Sequence, residues 1–290
     1  MAAGVMDCHR ARRRSRTRER GHGKRPPMTT PRFVVRTIDE LTTEDEASFR
    51  HVALYGDLKD VLRRDKYTFR VLPEASSGRW DRALLLNLTF WGANAGGDVL
   101  VDDTLPADVV AHAAWHHLAA KALAEGPGVP LTADALFLGE SIASAFDVYL
   151  VGRLLGHAPK SSFLATQVPA MADSALAAGA SEDDFDALLQ GIADDPDRAF
   201  EDLRELLFDA TTALTACSGA DDALAVLEGF DEHRFAPLLH HYELSNWVLY
   251  ARAYGKGGLE PDERARVIDR ELRQADGAVD WLASKWLGNR

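Results

Sequence analysis

Up to about residue 101 the apolar positions come in short blocks, and beyond it they recur at helical spacing almost without a break. Residues 33–38 read as a strand, and an acidic helix is expected over roughly 43–64. Residues 67–72 alternate apolar and polar side chains and stop at Pro73, ahead of the turn-forming Ser76, Ser77 and Gly78, which is a strand pattern. A continuous apolar run over 83–91 suits a buried strand or a short buried helix. A further short strand is expected at 98–101, after Gly96 and Gly97.

The helical part then begins. Thr104 stands where a cap would, with Pro106 in the first turn of a helix running to about Glu125. Gly126, Pro127, Gly128 and Pro130 interrupt it. A second helix is expected from about Thr132 to Leu155, ended by Gly156. Helical stretches follow near 163–178, 182–191, 198–216, 221–228, 233–254 and 261–286, with no internal repeat. The predicted fold class is α+β, predominantly helical: a small N-terminal sheet, a two-helix site and a C-terminal helical bundle. The expected division is a basic tail over 1–30, an α+β domain over 31–160 and a helical domain over 161–290.

Charge separates the tail from the body. The chain carries a net −12, yet its first 27 residues hold about +7, Arg12 to Arg14 among them, which leaves the remainder close to −19. A body this acidic repels a nucleic-acid backbone, so DNA or RNA binding is not expected of it. The tail reads as a disordered arm or as an extension upstream of a start at Met28. With two cysteines, Cys8 and Cys217, neither a disulfide framework nor a thiolate cluster is available. No stretch approaches roughly 18 uninterrupted apolar residues and no signal-peptide core precedes the body, so no membrane association is expected and a cytoplasmic location is the expectation.

The chemistry worth pursuing lies on the two helices that follow the strand region. His112 and His116 are four residues apart, so they project from one helix face and can grip one divalent ion if a third ligand comes from elsewhere. On the second helix Glu140 sits among Leu136, Phe137, Leu138, Ile142 and Ala143, where a carboxylate is costly unless paired or coordinating a cation. Ser144 and Asp147 fall on the same face. Asp108, one turn before His112, is placed to cap its helix or to orient a histidine.

These residues resemble the gluzincin branch of the zincin metallopeptidases, including its ImmA/IrrE-like members. That pattern has HExxH on one helix and a glutamate ligand in a phrase such as ExxAxxF on a following one. Here His112 and His116 match the histidines, and Glu140, Ala143 and Phe146 match the phrase. The resemblance covers about residues 67–156 and implies a zincin-like fold for the 31–160 domain, with Zn2+ on His112, His116 and Glu140 and with Asp108, Ser144 and Asp147 around them. The position of the catalytic glutamate, however, is Ala113. Zinc binding is therefore expected to outlive peptidase turnover, because the missing residue is a base and not a ligand. The resemblance also offers His241 or Tyr242 as an oxyanion-stabilising group.

Function is thus expected to be that of a zinc-binding, catalytically impaired pseudo-peptidase acting through binding, with a protein or peptide as its partner. An active zinc hydrolase with a non-standard base and a metal-free helical interaction protein are the alternatives. A dinuclear site drawing on His240 and Glu243 as well lacks the Glu-x-x-His phrases that such bundles use.

Overall fold

The computed structural model describes residues 33–74, 99–126, 128–258 and 260–288. Its strands are β1 (Val34–Thr37), β2 (Thr42–Glu44), β3 (Thr68–Val71), β4 (Val99–Leu100) and β5 (Thr104–Pro106). β1 runs antiparallel to β3, which pairs parallel with β4, while β2 and β5 form a separate parallel pair. The run at 83–91 lies outside the described residues.

The helices are α1 (Ala53–Arg64), α2 (Ala107–Leu123), α3 (Ala133–Leu154), α4 (Ser162–Ala177), α5 (Glu182–Asp194), α6 (Pro196–Thr215), α7 (Ala220–Glu228), α8 (Leu244–Tyr254), α9 (Glu263–Gln274) and α10 (Ala278–Leu282). A 3-10 helix, Ala236–Tyr242, leads into α8. The protein is α+β and predominantly helical.

Four expectations are corrected. The acidic segment from residue 43 is not one helix: Thr42–Glu44 extends to pair with Thr104–Pro106, and α1 starts only at Ala53. For the same reason Thr104 is no cap; Pro106, in extended backbone, precedes the first helical residue of α2. The helix expected over 233–254 is broken at Glu243, whose φ of 48° is left-handed and ends the 3-10 turn. Over 261–286, Ala275 and Gly277 are extended and separate α9 from α10. Residues 32–290 form one compact unit around a continuous apolar core.

That core is organised by α3. Thr132 caps it, its side chain accepting from the Ala135 amide, and its side chains are apolar on nearly every face. Such a helix has to be enclosed, and it is packed by α2, α4, α5, α6, α8 and α9. Phe137, Leu138, Ile142, Phe146 and Leu150 are all fully buried, each worth about 1.5–3 kcal/mol relative to exposure. By length and composition it is long and apolar enough to cross a membrane, but most of it is buried inside the protein. Close packing depends on two glycines. A Cβ at Gly139 would lie 3.3 Å from that of Ala119 on α2, and one at Gly152 would strike the Ile192 carbonyl and Pro196.

Candidate metal centre

Only a narrow stripe of α3 escapes burial, at Leu136, Glu140 and Asp147, before Arg153. The spacings of four and seven residues keep the first three on one face. Glu140 and Asp147 therefore emerge together, over the neighbouring helix. Across from them α2 presents His112 and His116 one turn apart, both partly exposed, while Val110, Ala111, Ala114 and Leu118 are buried. The small pair Gly139 and Ala119 lets the two backbones approach closely enough for these edges to meet.

The result is a convergence of donor atoms. His112 Nε2 and His116 Nε2 are 3.0 Å apart, and His116 Nε2 is 3.5 Å from Glu140 Oε2. One ligand atom from each of His112, His116 and Glu140 lies within 4.8 Å of the others. Ligands on a tetrahedral zinc, with bonds of about 2.0–2.2 Å, stand roughly 3.3–3.6 Å from one another, so the two shorter separations fall close to what such an ion needs. The donor set, two imidazoles and a carboxylate, is one that zinc takes.

The outer face of His112 is engaged as well. Its Nδ1 lies 3.0 Å from Asp147 Oδ2. A carboxylate there holds the proton on Nδ1 and leaves the Nε2 lone pair aimed at His116 and Glu140, the tautomer a metal requires. The orienting carboxylate is thus Asp147. Asp108 instead accepts from the first amides of α2, at Asp108 and Val109; burial, then the Asp147 charge, push its carboxyl up to about 6, although His112 pulls the other way. Ser144 is buried inside α3.

The remaining expected residues are placed elsewhere. Ala113 is buried in the core, so the position that the resemblance assigns to a base is packed against apolar neighbours. His117 turns away from the centre to Asp65 at 2.8 Å, which Lys121 and Arg64 also engage, tying α2 to the end of α1. His240 and Glu243 line a groove with α6, α7 and α8. His241 is engaged by α4: the Gln167 amide lies 3.2 Å from its Nε2, and it hydrogen-bonds the Ala170 backbone. Burial depresses its pKa, the Asp147 charge opposing this. The Tyr242 hydroxyl is buried and lacks a hydrogen-bond partner among the described residues.

Sequence reasoning missed the Asp65–His117 pair and the isolation of the Tyr242 hydroxyl. Asp65 and His117 are 52 residues apart with no periodic relation to reveal their meeting. A buried tyrosine hydroxyl has no sequence signature at all. No model of a known protein family matches the chain, and neither curated proteins nor solved structures yielded a match.

Proposed function

We propose that this protein binds one zinc ion through His112, His116 and Glu140, and that it acts as a metallopeptidase-like protein without a working general base, through binding. The observation that carries the reading is the convergence of those three side chains, with Asp147 selecting the metal-competent tautomer of His112. Zinc held there would act as a Lewis acid toward a bound water or carbonyl. The chain's own residues would hold and orient the ion, but Ala113 can neither take up nor deliver a proton. Absence of a positioned base lowers turnover by about 10²–10⁴-fold. A peptide or protein segment is the partner class implied, and the cytoplasm the expected location.

Elemental analysis of the purified chain after dialysis against metal-free buffer is the direct test. About one zinc per molecule is expected, and His112→Ala, His116→Ala and Glu140→Ala should each lose it. Absence of any stoichiometric transition metal from the wild type removes the reading. A zinc-loaded protein that cleaves a broad peptide library, with chelators abolishing the cleavage, would replace it by the active hydrolase with another base.

The competing reading is a metal-free helical interaction protein. It is favoured by a groove of about 710 Å³ lined by Leu214, Leu227, Leu239, Val248 and Leu249. An ion that binds only the folded state raises thermal stability by mass action. Chelator should therefore lower the melting temperature under the zinc reading and leave it unchanged under this one.

A further inference from the structure

Two buried polar atoms lack a partner among the described residues: Asp147 Oδ1, whose companion Oδ2 meets His112 Nδ1, and the Tyr242 hydroxyl. One is a pure acceptor and the other carries a proton to give. An ionised carboxylate oxygen left without a donor is expensive in a protein interior, and so is an idle buried hydroxyl. The two share one neighbourhood. Asp147 is on α3, and Tyr242 closes the 3-10 helix that packs on α4, itself against α3. After burial, the charge that acts on the Tyr242 hydroxyl is that of Asp147, and both hold the phenol in its protonated, donating form. His241, anchored to Gln167 and the Ala170 backbone, packs edge-on to Tyr242 and fixes the end of that 3-10 helix.

We propose that Tyr242 is a positioning residue for the metal centre: through one buried water its hydroxyl serves Asp147 Oδ1, and so holds Asp147 Oδ2 against His112 Nδ1. A buried water typically joins two or more polar groups that cannot reach each other directly, and it bridges almost as well as a direct bond. The relay runs from the 3-10 helix through α3 to α2, so a residue 130 positions from His112 sets which imidazole nitrogen carries the proton. This role differs from the oxyanion contact that the family resemblance implies for Tyr242, since its hydroxyl is enclosed. The inference deepens the zinc reading and rests on it for the metal-affinity arm alone.

The test compares wild type, Tyr242→Phe, Asp147→Asn and the double variant, all as the full chain. Tyr242→Phe keeps the ring packing, and circular dichroism checks that each variant folds. In the metal-free protein, nitrogen-15 chemical shifts should report His112 held with its proton on Nδ1, and Tyr242→Phe should give a mixture of tautomers. Competition for zinc against a chromogenic chelator should then show roughly tenfold weaker binding by Tyr242→Phe, in line with other groups that act on a metal through its ligand. The double variant should lose no more than Asp147→Asn alone, because the two act in series. Wild-type tautomer and zinc affinity in Tyr242→Phe would overturn the relay and leave the zinc reading standing. A tautomer that shifts in Tyr242→Phe, in a wild type that takes up no zinc, would support the relay and end the zinc reading.

Discussion

Two of the clusters of charged and polar side chains between helices of this protein are composed in opposite ways. Between α6 and α9, the fully buried Arg204 donates to Asp269 at 2.6 Å, Asp269 also accepts from Arg273 at 2.9 Å, and Arg273 reaches Asp209 at 2.7 Å. Cations alternate with anions. Burial works against the charge on Arg204 and lowers its pKa, and Asp269 beside it offsets this only in part. Between α2 and α3 the members are two imidazoles and the carboxylates of Glu140, Asp147 and Asp108, side chains that offer electron pairs. The first cluster has cations of its own among its carboxylates and joins two helices; the second has the composition of a receptor for a cation from outside. Charge density alone does not separate a structural cluster from a functional one. The two differ in whether cations of the chain stand among the carboxylates.

The contrast is broken most severely by exchanging the fates of the two clusters. His116→Ala should abolish zinc uptake, forfeiting a binding free energy on the order of 10 kcal/mol for a tight site, while barely changing urea unfolding of the metal-free protein. Asp269→Ala should do the reverse, because it strands Arg204 in the core at a cost of about 3–5 kcal/mol, read as a lower urea midpoint with zinc stoichiometry intact. An Asp269→Ala protein of wild-type stability would remove the structural reading of that cluster.

Two glycines on α3 sharpen the same division on a smaller scale. Gly152→Ala forces a methyl onto the Ile192 carbonyl and Pro196, so stability should fall by about 1–3 kcal/mol with zinc affinity kept. Gly139→Ala meets only the Ala119 methyl at 3.3 Å. It should lower stability less, yet weaken zinc measurably by easing α2 away from Glu140. Equal zinc affinity in the two variants would show that the helix spacing at Gly139 does not set the centre.

The smallest expected effect concerns acid. Burial opposes ionisation of Asp65, but hydrogen bonds from Lys121, His117 and Arg64 outweigh it and hold the carboxyl well below the usual range. A carboxyl with a depressed folded pKa stabilises the protein above its unfolded pKa of about 3.9, and that contribution fades as pH falls toward the folded value. Stability of Asp65→Asn should therefore change less between pH 5 and the acid limit, roughly, than that of wild type, and the two should converge at low pH. Parallel acid profiles would count against the cluster as a stabilising device.

Much of this was legible in the sequence, for physical reasons that can be named. Helical spacing places His112 with His116 and Glu140 with Asp147 without reference to anything distant, and Thr132 and Gly156 mark the ends of α3 by their own backbone chemistry. Pairing of Thr42–Glu44 with Thr104–Pro106 was hidden, because a three-residue strand acquires its conformation from a partner some sixty residues away. Asp147 as the partner of His112 was only half visible: azimuth put it on the right face, but the distance between α2 and α3, set by Gly139 against Ala119, decided what it touches. The left-handed Glu243, which divides an otherwise uniform helical stretch, had no glycine to announce it.

Glu140 and Asp147 ride on the helix enclosed by six others. Amide protons of α3 should thus be among the last to exchange with deuterated solvent, leaving only when the whole molecule opens. On the zinc reading, an ion would meet a cradle already rigid on its carboxylate side, so that little ordering would accompany capture and discrimination between ions would rest on fit. Any adjustment to a larger or smaller guest falls to the histidine edge of α2.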